Sequence, residues 1–189
     1  MKKYLITSRE FYTDTPAVFR CILHEQFAKH LPDYALYRDK TDPNYEIQAE
    51  HFVEVCKGFN IKSFIHRDAK LAKELNATGV HLTSTQAKEI EFAKELGLEV
   101  IISTHTIDEV LTAQQRGADA VTFSPIFASP NKGEPKGIEE LEKLLTMCEI
   151  KVFALGGIVS SEQIGLIKKT KAYGFASIRY FYSLLLLVL

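Results

Sequence analysis

Eight short apolar runs recur along the chain, and each is followed by a longer segment in which apolar residues return at helical spacing. The predicted strands are Tyr4–Thr7, Tyr34–Tyr37, Lys62–Ile65, Gly79–Leu82, Glu99–Ser103, Ala120–Phe123, Val152–Leu155 and Gly174–Ile178. Strands that alternate with helices in this way are typical of a parallel sheet. The strand count favours an α/β fold, a compact TIM-type (β/α)8 barrel with parallel strands, in a single domain over residues 1–189. The chain is shorter than the ~250 residues typical of that fold.

The alternative to a closed barrel is an open, doubly wound parallel sheet. No Gly-x-Gly-x-x-Gly motif opens a helix after the first strand, which argues against the dinucleotide-binding form of that fold. Two segments between the strands have clear helical character. Apolar residues of Ala87–Leu96 fall on one face. Asp108–Arg116 follows a predicted N-cap at Thr106 and ends before Gly117.

The charges of the chain nearly cancel, because 23 Lys and Arg stand against 24 Asp and Glu, for a net charge of −1. We therefore expect no nucleic-acid partner and no membrane surface, and any anion site must be a local cluster. Three cysteines without metal-ligand spacing, Cys21, Cys56 and Cys148, predict reduced thiols. The first apolar run is too short for a signal peptide, so we expect a cytoplasmic protein.

The last seven residues, Ser183–Leu189, form an apolar tail. A helix needs ~20 residues to cross a bilayer core, so this tail predicts a final helix that covers the barrel, cut short at its end.

A phosphate site is predicted between the last two strands, because the chemistry of such barrels lies at the carboxyl ends of the strands. Gly156 and Gly157 follow the seventh strand, where glycines let the backbone approach a ligand. The helix that this turn is expected to open offers free N–H groups to an anion. Arg179 follows the eighth strand, and a guanidinium binds phosphate oxygens in bidentate fashion. The plain alternatives are a tight turn and a solvated arginine.

Ser103 and His105 come at the end of the fifth strand. Histidine titrates near neutrality, so His105 is the candidate catalytic acid or base, with Ser103 as a binding residue. The long polar loop after the sixth strand contains Ser129, Asn131 and Lys132, which can donate hydrogen bonds to an oxygen-rich ligand. Loops of this length are either functional or mobile.

Further candidate binding residues follow the second and third strands. They are Arg38, Lys40, His66 and Arg67. Their positions after adjacent strands predict a site for a second anionic group of the ligand. The alternative is that these cations pair with Asp39 or Asp68.

Five runs carry a resemblance to a known family. They are Gly79–Leu82, Ser103–Glu109, Gly117–Val121, Ser124–Phe127 and Ala154–Ile158. With these runs in this order from about Tyr4 to Arg179, the chain resembles the family of thiamine phosphate synthases and TenI-like thiazole tautomerases. The resemblance implies a compact barrel, a role in thiamine biosynthesis, a phosphorylated thiazole as the small-molecule ligand, and a homodimer.

The same resemblance implies a magnesium site whose ligands this sequence lacks. In the synthases two aspartates hold Mg²⁺. The matching positions here are Arg67, with Asp68 displaced by one residue, and Gln86. The strand-two motif that holds the pyrimidine diphosphate keeps its cations at Arg38 and Lys40. We therefore expect no metal ligands and no cofactor, and Mg²⁺ only if the chain is a synthase.

Three functions follow from this pattern. The leading hypothesis is a thiazole tautomerase, or a close relative, that binds thiazole phosphate and moves a proton with His105. The first alternative is a thiamine phosphate synthase with a rebuilt site, in which Arg67 stands in for Mg²⁺. The second alternative is a non-catalytic protein that binds thiamine or thiazole phosphates as a regulator.

Overall fold

Eight parallel strands close into a barrel in the order in which they occur along the chain. The structure, a computed structural model, describes residues 1–12, 15–130 and 132–182. The strands are β1 (Lys2–Ile6), β2 (Tyr34–Tyr37), β3 (Lys62–His66), β4 (Gly79–Leu82), β5 (Glu99–Thr104), β6 (Ala120–Phe123), β7 (Lys151–Leu155) and β8 (Gly174–Ser177). The pairing of β1 with β8 closes the ring. The predicted (β/α)8 barrel is confirmed, and no strand boundary differs from the prediction by more than two residues.

The helices lie outside the barrel. Within the described ranges they are α1 (Pro16–His30), α2 (Tyr45–Gly58), α3 (Ala69–Glu74), α4 (Ile90–Glu95), α5 (Ile107–Gln115), α6 (Gly137–Met147), α7 (Ser161–Lys169) and α8 (Arg179–Tyr182), with 3-10 segments at Arg9–Phe11 and Ser84–Glu89. None of these helices combines the length and the apolar character that a membrane span requires. The predicted tail helix, Ser183–Leu189, lies outside the described residues.

The predicted helix Ala87–Leu96 is wrong in its first turn. That turn belongs to the 3-10 segment, and α4 begins only at Ile90. The cause is Gln86, whose side chain accepts from the Thr83 amide at 3.1 Å and donates to the Arg67 carbonyl at 3.1 Å. These bonds hold Gln86 at φ −102° and ψ 22°, which is not helical.

The N-cap and the closing glycine of α5 agree with the prediction, and its bounds differ from the predicted Asp108–Arg116 by one residue at each end. Thr106 is the N-cap, and its hydroxyl accepts from the Glu109 amide while the Glu109 carboxylate accepts from the Thr106 amide. Gly117 follows the helix with φ +83°, a conformation that glycine adopts without strain. Only His105 and Thr106 separate the end of β5 from α5.

Aromatic rings fill the inside of the barrel. Tyr4, Tyr34, Phe64 and Phe153 pack with ring centroids between 5.1 and 5.9 Å apart. Gly174 makes room for them, because a Cβ there would lie 2.7 Å from Cε1 of Phe153. Polar interior residues such as His81 and Ser103 lie nearer the carboxyl ends of the strands, where the loops that follow the strands meet.

Candidate active site at the carboxyl end of the barrel

A cavity of about 580 Å³ opens at the carboxyl ends of the strands. It is lined by all of the predicted site residues that the structure describes, namely Arg38, Lys40, His66, Arg67, Ser103, His105, Ser129, Lys132, Gly156, Gly157 and Arg179. The remaining predicted residue, Asn131, lies outside the described residues. Loops that are far apart in sequence therefore share one cavity.

The cavity is strongly cationic. Five basic side chains line it, Arg38, Lys40, Arg67, Lys132 and Arg179. None of them forms an ion pair with an acid in the part of the chain that the structure describes. Among the described lining residues, Glu10 supplies the only carboxylate. A chain with a net charge of −1 thus concentrates uncompensated positive charge in one place.

The acids that might have paired with these cations have other partners. Asp39 accepts from Arg9 at 3.1 Å, from the Tyr12 hydroxyl at 2.9 Å and from the Thr41 amide at 2.9 Å. Burial alone would raise the pKa of Asp39, but these hydrogen bonds outweigh it and lower the pKa below its usual value. Asp68 caps α3 by accepting from the Leu71 amide at 2.9 Å. The alternative in which Arg38 and Arg67 pair with these acids is therefore wrong.

The turn Gly156–Gly157 brings β7 against the loop that follows β6. Its glycines have φ +98° and +68°. A Cβ on Gly157 would lie 2.4 Å from the Ala128 carbonyl oxygen, and a Cβ on Gly156 2.7 Å from Cα of Pro125. Both residues must be glycine for this packing. The Gly157 amide has no acceptor among the residues that the structure describes, so it can donate to a ligand.

The expectation that this turn opens a helix is wrong. α7 begins at Ser161, and Ser160 caps it by accepting from the Gln163 amide. The reason is that Gln163 also donates to the Gly157 carbonyl at 2.8 Å, which holds the turn apart from the helix start. An anion here would meet the amides of the turn and the Arg179 side chain, while Ser160 already occupies the α7 N-terminus.

His105 is oriented by the end of β6. Its Nδ1 lies 3.1 Å from the Ser124 carbonyl oxygen. The carbonyl can only accept, and the Ser124 hydroxyl oxygen, 3.3 Å from the same nitrogen, can accept as well. A hydrogen on Nδ1 satisfies both contacts, and in the neutral ring Nε2 then keeps a free lone pair. No group in residues 1–12, 15–130 or 132–182 bonds to Nε2. The geometry therefore leaves a basic nitrogen at the edge of the cavity.

His81 is a cavity residue that was not predicted from the sequence. It lies in β4 and is almost fully buried, with Nδ1 2.8 Å from the Tyr4 hydroxyl and Nε2 2.9 Å from Ser103 Oγ. The alternation of β4 was an available signal. Val80 and Leu82 belong to the outer core, so the residue between them faces inward.

Both interior histidines are neutral at physiological pH. Burial, with Arg38, Arg67 and Lys40 nearby, lowers the pKa of His66 to about 3. Burial, with smaller contributions from His66 and Arg38, lowers the pKa of His81 to about 3 as well.

We expect the protein to lose stability in mild acid because of these two groups. The unfolded chain takes up their protons as the pH falls below about 6.5, whereas the folded chain does so only near pH 3. The unfolded state therefore binds more protons between these pH values, so the free energy of unfolding decreases as the pH is lowered. From pH 7.5 to pH 6 the two histidines together account for a loss on the order of 1–2 kcal/mol.

Urea unfolding at the two pH values measures this effect. His81→Gln should remove about half of the difference, even though it lowers stability at both pH values. An equal pH difference in the variant and in the unaltered protein would show that His81 does not contribute.

The residues present do not fit the magnesium site that the resemblance implies. Arg67 stands at one carboxylate position, and the neighbouring Asp68 is used as the cap of α3. At the other position, the Gln86 side chain is bonded to Thr83, Arg67 and Glu89. The described residues contain no group of three or more His, Cys, Asp or Glu side chains able to hold a metal ion.

Comparison with known proteins places this barrel in a family. The chain matches the thiamine monophosphate synthase family over residues 4–181. A thiamine-phosphate synthase of Dictyoglomus thermophilum is 36% identical over 140 residues, which cover 70% of this chain and 62% of that protein. One from Bacillus licheniformis is 29% identical over 119 residues, covering 60% of this chain and 53% of that protein. The chain is thus matched to somewhat more than half the length of these curated relatives.

A solved structure agrees with this comparison. A thiamine phosphate pyrophosphorylase from Pyrococcus furiosus has the same fold, with a TM-score of 0.76 at 25% identity, over 94% of this chain and 85% of that one. The family match extends from β1 into α8 and includes the loops that line the cavity. The chain therefore belongs to the thiamine monophosphate synthase family.

Proposed function

We propose that the chain acts in thiamine biosynthesis as a thiamine phosphate synthase whose diphosphate site is built from protein cations. The observation that carries this proposal is the set of five basic side chains around one cavity, which lack an ion pair with any described acid. A phosphate monoester carries about two negative charges near neutral pH, so this set exceeds what one such group needs. The combined negative charge of a diphosphate and a phosphate matches these five cations better. The relatives named above are synthases or pyrophosphorylases, which supports the same choice.

The cations have a direct role in the proposed reaction. The bond between the pyrimidine methylene carbon and the diphosphate oxygen breaks, and the diphosphate leaves with the bonding electrons. The thiazole nitrogen then donates its lone pair to that carbon, so no net proton is transferred. Arg38, Lys40 and Arg67 would stabilise the charge that develops on the departing diphosphate. The thiazole phosphate would occupy the site of Arg179 and the Gly157 amide.

A product assay tests the proposal. The purified protein is incubated with the pyrimidine diphosphate and the thiazole phosphate, and thiamine phosphate and pyrophosphate are measured. We expect equimolar products, and a rate lowered strongly by Arg38→Ala but not by Lys171→Ala. Lys171 is exposed and precedes β8, at the opposite end of the barrel. No product above the buffer control would refute the proposal.

A second candidate, the thiazole tautomerase, is favoured by one observation. The bond from His105 to the Ser124 carbonyl leaves Nε2 as a free base, and tautomerisation needs only one acid/base group beside a held thiazole phosphate. Aromatisation of the non-aromatic thiazole tautomer that is faster than in buffer and abolished by His105→Ala would support this function. Tight binding of thiamine or thiazole phosphates without turnover in either assay would support the third function, a non-catalytic regulator. The homodimer and the cytoplasmic location stay predictions.

A further inference from the structure

A chain of three side chains crosses the inside of the barrel. Tyr4, in β1, is fully buried and its hydroxyl lies 2.8 Å from Nδ1 of His81, in β4. The other ring nitrogen of His81 lies 2.9 Å from Oγ of Ser103, in β5. Ser103 and His81 both line the cavity. These three hydrogen-bonded side chains thus connect the apolar interior to the wall of the anion site.

The hydrogens shared by Tyr4, His81 and Ser103 have one favourable arrangement. The Tyr4 hydroxyl has a single hydrogen, and among the described residues its acceptor is His81 Nδ1. In the reverse arrangement Nδ1–H would donate to Tyr4, and the Tyr4 hydrogen would be left without an acceptor among packed rings. Tyr4 therefore donates to Nδ1, and the neutral His81 ring carries its hydrogen on Nε2. That hydrogen is donated to Ser103.

Ser103 is then left with a hydrogen to donate. Its Oγ accepts from His81, and the structure gives it no other partner, side chain or backbone, within the described ranges. Thr122, which is paired with Ser103 across β5 and β6, forms no side-chain hydrogen bond in the described part of the chain. The remaining direction for the Ser103 hydrogen is the cavity.

We infer that Tyr4 is a positioning residue, which acts through His81 to fix Ser103 as a hydrogen-bond donor to an oxygen of the phosphorylated ligand. The inference rests on the proposed function for the identity of that ligand. The direction of the hydrogen bonds from Tyr4 to His81 and from His81 to Ser103 rests only on the contacts of these three side chains. If Tyr4 were purely structural, loss of its buried hydroxyl would lower stability but leave ligand affinity unchanged, whereas the positioning role requires the affinity to fall.

The first arm of the test is the tautomer of His81. Nitrogen-15 NMR of the histidine rings, assigned by the loss of one signal set in His81→Gln, distinguishes a protonated ring nitrogen from an unprotonated one. We expect Nε2 to be protonated and Nδ1 unprotonated in the unaltered protein. A hydrogen on Nδ1 would overturn the inference. This arm needs neither ligand nor turnover.

The second arm is a double-mutant cycle read out by calorimetric titration with inorganic pyrophosphate. Tyr4→Phe should weaken binding about fivefold to tenfold, the effect of one lost hydrogen bond. In the Ser103→Ala background the same substitution should have no further effect. Tyr34→Phe is the matched control, because its hydroxyl bonds to Tyr173 at 2.9 Å, away from this chain, and binding should be unchanged.

The outcomes separate the inference from the proposed function. An equal loss from Tyr4→Phe with and without the Ser103 hydroxyl, or no loss at all, would overturn the positioning role. If the unaltered protein binds no pyrophosphate while His81 shows the expected tautomer, the proposed function fails and the donor orientation of Ser103 stands.

Discussion

Replacing Arg67 with aspartate is expected to weaken the binding of inorganic pyrophosphate by at least about 100-fold, since a charged hydrogen bond contributes about 1.5–3 kcal/mol and the new carboxylate repels the ligand. Arg67 has φ +71°, and its amide donates to the His81 carbonyl at 2.9 Å. Aspartate and asparagine tolerate this left-handed conformation better than most residues, so the backbone should be preserved.

Two variants control this experiment. Arg67→Asn removes the charge on the same backbone and should weaken binding about tenfold to 100-fold, less than Arg67→Asp. Lys171→Asp reverses a charge outside the cavity and should have little effect at moderate salt. Equal affinities for the unaltered protein and Arg67→Asp would show that Arg67 does not contact the anion.

The second large effect is expected from Gly157→Ala, which should lower the free energy of unfolding by about 3 kcal/mol or more. Two costs add at this position. The backbone is left-handed, with φ +68°, and the new Cβ would lie 2.4 Å from the Ala128 carbonyl and 2.5 Å from that of Phe127. The β6 loop, which carries the cavity residues Ser129 and Lys132, would have to move away from β7, so the affinity for pyrophosphate should fall as well. Urea unfolding and calorimetric titration measure the two effects.

Gly97→Ala separates the two costs. Gly97 also has a left-handed backbone, with φ +79°, but beyond its chain neighbours no heavy atom lies within 4 Å of the position that a Cβ would take. This variant should lose only the conformational cost of about 1–2 kcal/mol and should bind pyrophosphate normally. If Gly157→Ala were no more destabilising than Gly97→Ala, the close packing of the two loops would not hold the site together.

The sequence was sufficient for the barrel because short apolar runs and helical segments repeat with little interruption. It was less sufficient where side chains compete with the backbone. The helix predicted from Ala87 fails because Gln86 bonds to Thr83 and Arg67 instead of continuing a helical turn. The Gly156–Gly157 turn was expected to open α7, but Ser160 and Gln163 place the helix start farther along the chain.

For the candidate site, many of the residues that line the cavity could be predicted from the sequence, but their hydrogen-bond partners could not. The residues after each strand were predicted to meet because parallel strands carry their carboxyl ends to one side, and the described ones do line one cavity. Pairings between distant segments were not accessible from spacing. Asp39 meets Arg9, 30 residues away, and His81 meets Tyr4, 77 residues away across the closed barrel. Such pairings depend on how the ring of strands closes, which no local pattern specifies.

The most direct test of this account is a calorimetric titration of the unaltered protein with inorganic pyrophosphate, in excess chelator and again with saturating Mg²⁺. Because protein cations supply the positive charge and the expected carboxylates are absent or engaged, we predict binding in chelator, with Mg²⁺ improving it less than about threefold. Binding that is absent in chelator and appears only with Mg²⁺ would contradict the account.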